Sequence, residues 1–318
     1  MPHVFLNGNG LPGRWQGQRR FVILETAFGL GNNFLTTWDR WLQDSARCDQ
    51  LIFISIEKHP LRREDLARVH GLLADASLEA APDGIRDGTQ RELARQLVEA
   101  WPPLTPGLHT LRFEHDKGQG ITLMLGLGDI ADLLPSLVAR VDAFYLDGFA
   151  PTKNPQMWDA HLLSRLNRLA APGCTAATWS SAPGVRDALT QAGFQVELLP
   201  GIAGKMRMVA AVYEPRFTPP LLAGGCWPEP VDAEDRYAIV IGAGLAGCSA
   251  AQALCREGWR VTLIDHHDGP AQEASGNPGG LFHSVLHGDD GLHARALRAA
   301  ALATWRRAQP PASHQRSG

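Results

Sequence analysis

Four short apolar runs, residues 21–26 (FVILET), 51–56 (LIFISI), 121–125 (ITLML) and 141–146 (VDAFYL), recur in the first half of the chain and close at a Gly or an acidic residue. Runs of this kind read as strands buried on both faces, as in parallel sheets. Between them lie stretches with helical spacing, Phe34 to Leu42, Leu61 to Ala74, Gln90 to Trp101 and Trp158 to Leu169. Strand alternating with helix predicts an α/β fold with a doubly wound sheet. Phe194 to Leu199 and Met206 to Tyr213 are separated only by PGIAGK, too short for a helical crossover, so an antiparallel hairpin is expected at the sheet edge.

A chain of 318 residues predicts about two domains. Residues 214–235 (EPRFTPPLLAGGCWPEPVDAED) carry five prolines and no period, which reads as a linker between a first domain, 1–213, and a second, 236–318. The hydrophobic share of 44% excludes a disordered or fibrous chain. Five cysteines without a CxxC pair indicate reduced packing residues, Cys248 and Cys255 among them as core, and neither a disulfide framework nor a zinc site. No stretch approaches the length of a membrane span and MPHVFLNGNG lacks the features of a signal peptide, so a cytoplasmic protein without a membrane partner is expected. His266, His267, His283, His287 and His293 fall in no metal-ligand spacing, and no metal is expected. Nothing in the pattern sets an oligomeric state, and a monomer is the expectation.

Lys and Arg number 30 against 33 Asp and Glu, a formal charge of −3, so a nucleic-acid partner would need a local basic patch. The candidates are Arg14, Arg19 and Arg20; Lys58, Arg62 and Arg63; and Lys205 with Arg207.

The first strand runs into Glu25-Thr26-Ala27-Phe28-Gly29-Leu30-Gly31-Asn32-Asn33, after which a helix begins. Glycines there let a backbone approach a ligand, and Glu57 after the second strand can accept both hydroxyls of a ribose. After the third strand, Gly128-Asp129 offers an acid for an adenine amino group. Three acids at three successive strand ends form the layout of a class I S-adenosylmethionine methyltransferase. Asp147, after the fourth strand, stands where such enzymes face the methyl acceptor, and a carboxylate that accepts an amine proton both orients and activates the amine. The alternative makes Asp147 a helix cap and Trp158, in the same stretch, a core aromatic.

A second turn, Gly242-Ala243-Gly244-Leu245-Ala246-Gly247, satisfies G-x-G-x-x-G between a strand and a helix, with Asp265 after the next strand. Backbone N–H groups at the helix start would take a pyrophosphate, and Asp265 a ribose. The fingerprint alone does not choose between FAD and NAD.

In order and spacing, ETAFGLGNNF, ISIEKHPL and LDGFAPTKNPQMW closely resemble the methyltransferase half of the MnmC family, bifunctional bacterial enzymes that finish 5-methylaminomethyl-2-thiouridine at the tRNA wobble position. The resemblance extends to about residue 308. It implies an N-terminal domain that methylates the aminomethyl group with S-adenosyl-L-methionine, and a C-terminal FAD-dependent oxidase that first removes a carboxymethyl group from the same nitrogen. Carried over by motif, Glu25, Gly29, Gly31, Glu57 and Asp129 would hold S-adenosyl-L-methionine and Asp147 would face the amine. Ser275 to Gly280 resembles the flavin-adjacent loop, which implies FAD at Gly242, Gly244, Gly247 and Asp265. One departure is Ala27, where the family's first glycine is expected; a positive φ there would strain it.

The expected partner is the anticodon loop of tRNA, with Lys153, Lys205 and Arg207 on loops at one sheet edge contacting phosphate. Residues 237–318 are too few for a whole flavin oxidase, so an incomplete FAD-binding domain without oxidase activity is expected. Two rivals stay open: a flavin oxidase whose N-terminal domain only presents substrate, excluded by S-adenosyl-L-methionine binding, and a non-catalytic tRNA-binding remnant, excluded by single-turnover methyl transfer.

Overall fold

The computed structural model describes residues 3–73, 88–115, 118–201, 207–215, 235–281, 283 and 288–308. The chain divides into two compact units, Met1–Thr218 and Pro219–Gly318. Most of the expected linker, 216–234, and the polar stretch 309–318 lie outside the described residues.

The first unit is built on eight strands: β1 (Arg20–Glu25), β2 (Gln50–Glu57), β3 (Gly107–Glu114), β4 (Gly120–Leu127), β5 (Val141–Tyr145), β6 (Ala170–Thr178), β7 (Phe194–Pro200) and β8 (Arg207–Tyr213). Their order across the sheet is β3-β4-β2-β1-β5-β6-β8-β7. β1 pairs in parallel with β2 and β5, β2 with β4, and β5 with β6. The ends of these strands therefore lie along one edge. β7 and β8 form the expected antiparallel hairpin at the border, with β8 also antiparallel to β6.

Helices cover both faces. They are α1 (Asn32–Gln43), α2 (Arg63–Val69), α3 (Gly88–Glu99), α4 (Ile130–Leu133), α5 (Ala160–Ser164) and α6 (Pro183–Gln191). On one face, Phe34, Trp38 and Trp41 of α1 and Leu93 and Leu97 of α3 pack on the sheet, at spacings that place them on one side of each helix. A short π-helical segment, His3–Asn7, closes the same layer: Phe5 stacks on Tyr145 with ring centroids 5.2 Å apart. On the other face Trp158, Leu162, Leu163, Val185 and Leu189 cover Phe144 and Ile54. Trp158 is thus a core aromatic, its Nε1 donating to the Phe149 carbonyl at 2.8 Å.

Two strands were not expected from the sequence. β3 alternates His109, Leu111 and Phe113 inward with exposed residues outward, the period of a strand with one wet face, and it extends the sheet antiparallel to β4. β6 (AAPGCTAAT) is rich in Ala and carries Pro172 and Gly173, so its composition argues against a strand, yet it fills the gap between β5 and β8. The helix expected over Trp158 to Leu169 is broken instead. Asp159 accepts from the His161 N–H at 2.8 Å and starts α5 afresh, and residues Arg165–Arg168 tighten into a 3-10 turn.

The second unit contains β9 (Tyr237–Ile241), α7 (Leu245–Arg256), β10 (Arg260–Ile264) and α8 (Leu292–Ala308), with β9 and β10 parallel. Cys255 is exposed and Cys248 half-buried, contrary to the expected core placement. Among the described residues α7 buries no side chain, because only two strands lie beside it. No helix among the described residues is long and apolar enough to cross a membrane.

Phe53 sits fully buried in β2, with the Phe34 ring at 5.3 Å and the Tyr145 ring at 5.7 Å. Phe53→Ala should lower unfolding free energy by about 3–5 kcal/mol, read from the midpoint of urea denaturation.

Candidate functional site

Register sets Glu25 at the end of β1 opposite Ser55 on one side and Tyr145 on the other. Its side chain is fully buried, Oε2 accepting from Ser55 Oγ at 2.7 Å and Oε1 from Asn33 Nδ2 at 2.8 Å. Burial pushes the Glu25 carboxyl well above the ordinary carboxylate range and the charge of Asp147 adds to the shift, while the Ser55 and Asn33 donors oppose it. Glu25 therefore lies beneath the site, with Asn33 between it and Asp147.

Between β1 and α1 the chain turns through Gly29 (φ +55°) and Gly31 (φ +75°). A Cβ at Gly29 would meet nothing within 4 Å, the open approach a ligand needs, whereas a Cβ at Gly31 would stand 2.7 Å from Phe28 Cζ. The non-glycine residues with positive φ among those described are Ala271 and Asp290, so Ala27 carries no left-handed strain. Glu57 ties the turn to the end of β2. One oxygen accepts from the Gly29 N–H at 2.8 Å and the other from the His59 N–H at 2.7 Å. His70, buried and held below the ordinary histidine range by that burial, lies with Nε2 3.0 Å from the Leu30 carbonyl oxygen.

Asp129 follows β4, capping α4 by accepting from the Ala131 N–H at 2.9 Å and pairing with Lys58 Nζ at 2.8 Å. The Lys58 partner holds its carboxyl below the usual range. An open cradle at Gly29, flanked by carboxylates at the ends of β2 and β4, suits a nucleoside with hydroxyl and amino groups to donate.

Asp147, half-buried, follows β5. Its Oδ2 accepts from Asn33 Nδ2 at 2.7 Å, its Oδ1 from the Gly148 N–H at 2.8 Å, and its carbonyl from Thr26 Oγ1 at 2.6 Å. Sequence reasoning passed over Asn33, Ser55 and the pairing of Lys58, although all three stand inside the motifs ETAFGLGNNF and ISIEKHPL. Lys153 is exposed in the turn after Asp147. Arg207 opens β8 opposite Pro200, and the pairing of Thr178 with Val209 brings it to the same edge. Lys205 lies outside the described residues. Arg14 is not a phosphate ligand in waiting, since it donates to the Asp142 and Gly173 carbonyls, each at 3.0 Å, and to Thr175 Oγ1 at 2.6 Å, near the opposite ends of β5 and β6.

In the second unit Gly242 adopts φ +100°, and a Cβ at Gly247 would collide with the Gly242 carbonyl oxygen. Asp265 accepts from the Ala243 N–H at 2.6 Å and from the His267 N–H at 2.9 Å, which holds its carboxyl well below the usual range. Ser275 Oγ returns to the helix start and accepts from the Leu245 N–H at 3.1 Å. Glycines that permit this close turn, with an acid across it, suit a dinucleotide phosphate and ribose. Asp265, His266 and His267 also bring ligand atoms within 4.8 Å of one another, a grouping that spacing arguments did not anticipate.

Residues 89–214 match the family described as S-adenosyl-L-methionine-dependent methyltransferase, and residues 238–318 the family described as FAD dependent oxidoreductase. S-adenosyl-L-methionine and FAD are the cofactors of these two families. The tRNA 5-methylaminomethyl-2-thiouridine biosynthesis bifunctional protein MnmC of Methylibium petroleiphilum is 57% identical over 304 residues, 96% of this chain and 44% of that protein. Its namesake in Burkholderia vietnamiensis is 47% identical over 307 residues, again 96% of this chain and 44% of the relative. The chain thus spans less than half the length of these relatives. The crystal structure of MNMC2 from Aquifex aeolicus superimposes with a TM-score of 0.52 at 22% identity, over 70% of this chain and 62% of that one, a likeness of fold.

A carboxyl whose pKa is raised by folding contributes stability that is present below its unfolded-chain value and lost as pH rises through the folded one. Glu25 is such a group. Glu25→Gln, which keeps an acceptor for Asn33 and cannot ionise, should therefore be more stable than the parent chain at pH 8, with the gap closing toward pH 4. Thermal unfolding across that range checks it.

Proposed function

The chain belongs to the MnmC family, and from that premise we propose that its first unit transfers a methyl group from S-adenosyl-L-methionine to the amine of 5-aminomethyl-2-thiouridine at the wobble position of tRNA. The domain limits that go with this reading are 1–213 for the methyltransferase, 214–235 for a linker and 236–318 for the start of an FAD-binding domain. The carrying observation is Asp147: a carboxylate at the end of β5, beside the open glycine turn, with two N–H donors on its oxygens.

Gly29, Gly31, Glu57 and Asp129 would hold the cofactor, Glu57 at the ribose and Asp129 at the adenine, with Glu25 supporting the same edge from below. When bound, S-adenosyl-L-methionine supplies a methyl group on positively charged sulfur and is released as a neutral thioether. The neutral amine attacks the methyl group in line, and Asp147 accepts the proton that the nitrogen gives up once its new N–C bond has formed, leaving a neutral methylamine. The uridine leaves the anticodon stack to reach that carboxylate. Lys153 and Arg207, with Lys205, hold the flanking phosphates.

In the second unit, Gly242, Gly244 and Gly247 would receive the pyrophosphate of FAD and Asp265 its ribose. A tRNA substrate is consistent with a cytoplasmic monomer.

Asp147→Asn should retain cofactor binding by calorimetry but slow methyl transfer by roughly 10²-fold or more, measured by nucleoside mass spectrometry on tRNA bearing the aminomethyl group. Full turnover at saturating tRNA would remove Asp147 from the chemistry. Changing Lys153 and Arg207 together to Ala should flatten the salt dependence of tRNA binding by about one slope unit per lost contact. An unaltered slope moves the phosphate patch elsewhere.

A further inference from the structure

We infer that Asn33 is the positioning residue of the methyl-transfer site, because its single amide nitrogen is shared between the carboxylate of Asp147 and the buried carboxyl of Glu25. The inference rests on the proposed role of Asp147 as proton acceptor. Nδ2 stands 2.7 Å from Asp147 Oδ2 and 2.8 Å from Glu25 Oε1, so the two N–H bonds of one amide serve two acids. The reverse orientation would turn the amide oxygen toward two acceptors, and the chemistry of the neighbours therefore settles which way the amide points.

Each end of this bridge is held from a different element. Asn33 belongs to the first turn of α1, where its carbonyl accepts from Thr37 Oγ1 at 2.7 Å, and that hydroxyl lies 3.3 Å from the Tyr145 hydroxyl of β5. Glu25 is fixed on its far side by Ser55 of β2 at 2.7 Å and is sealed from solvent. Were the amide to swing away, the buried Glu25 carboxyl would lose one of its donors, an unfavourable change away from water. Asp147 Oδ2 is thereby located by α1 and β1 rather than by its own loop, and Oδ1 by the Gly148 N–H.

The bridge also biases charge. Asp147 and Glu57 both act by charge on the buried Glu25 carboxyl at the other end of the bridge, and the Tyr145 hydroxyl of β5 lies near Glu25 as well. The charges of Asp147 and Glu57 disfavour ionisation of Glu25, whereas a donated N–H favours the anion of the acid that accepts it. Asn33 donates an N–H to Asp147 Oδ2, a contact of the kind that favours the charged form of a carboxylate, and it brings no formal charge that would repel a protonated amine.

The test compares Asn33→Ser and the near-isosteric Asn33→Asp with the parent chain and Asp147→Asn. Steady-state methylation of tRNA bearing 5-aminomethyl-2-thiouridine is followed across pH, and cofactor affinity is measured by calorimetry. In Asn33→Ser, kcat should fall by about tenfold to hundredfold, short of the full loss of a base, with cofactor affinity and the KM for tRNA held within about threefold. The acid limb of the kcat profile should move to higher pH, since Asp147 has lost a donor to its charged form, and further still in Asn33→Asp. If Asn33→Ser does not fold by circular dichroism, the acid limb of Asn33→Asp decides alone. Unchanged kcat and acid limb, or a loss confined to cofactor affinity, would overturn the inference. Should Asp147→Asn turn over at the parent rate, the proposed function fails instead; if that variant is slow while both Asn33 variants match the parent, only the positioning role is lost.

Discussion

A carboxyl removed from water at the end of a central strand is costly unless donors surround it, and Glu25 is surrounded from two directions, by Ser55 of β2 and Asn33 of α1. Much of the first unit is arranged by that requirement. The donor on β2 is delivered by parallel register, which sets Glu25 against Ser55. The donor on α1 is delivered by the glycine turn, which reverses the chain tightly enough for the helix to begin over the strand it has just left. Because the same amide reaches Asp147, the strand that leads into Asp147 is tied to the one that carries the turn.

The two units use one device in two ways. In each, a strand runs into a glycine turn and a helix, and an acid where the second strand ends reaches back to accept an N–H of that turn: Glu57 from Gly29 at 2.8 Å, Asp265 from Ala243 at 2.6 Å. The acid closes the turn electrostatically and keeps further acceptor capacity on its carboxylate. What differs is what the glycines make room for. At Gly31 the space is taken by the Phe28 ring, which locks the turn into the apolar layer beneath, whereas at Gly247 it is taken by the Gly242 carbonyl, which lets the helix start press against the strand.

Basic residues sort by sheet edge rather than by local density. Arg14, in a cluster that looks cationic in sequence, is consumed by carbonyls and a hydroxyl near the starts of β5 and β6. Lys58 is consumed by Asp129. Lys153 follows Asp147 in the turn after β5 and Arg207 opens β8 at the same sheet edge, so a chain of net charge −3 still brings cations to the edge that carries Asp147.

Amino-acid order alone determined the parallel strands, the hairpin, both glycine turns and the acids at the strand ends, because each is written in short-range pattern: continuous apolar runs, a spacer too short to cross over, and Gly followed by helix. It also carried the motifs by which the family is recognised. Strand β6 was hidden because its Ala, Pro and Gly have little strand preference and only its neighbours β5 and β8 make it one. Asn33, Ser55 and Ser275 were hidden for a related reason: they lie inside legible motifs, but their partners Glu25, Asp147 and Leu245 come to them through register and turn geometry. Sequence pattern encodes which face a residue takes. Which donor meets which buried carboxyl is decided only when the strands are laid side by side, since that pairing depends on distances between segments that no local period records.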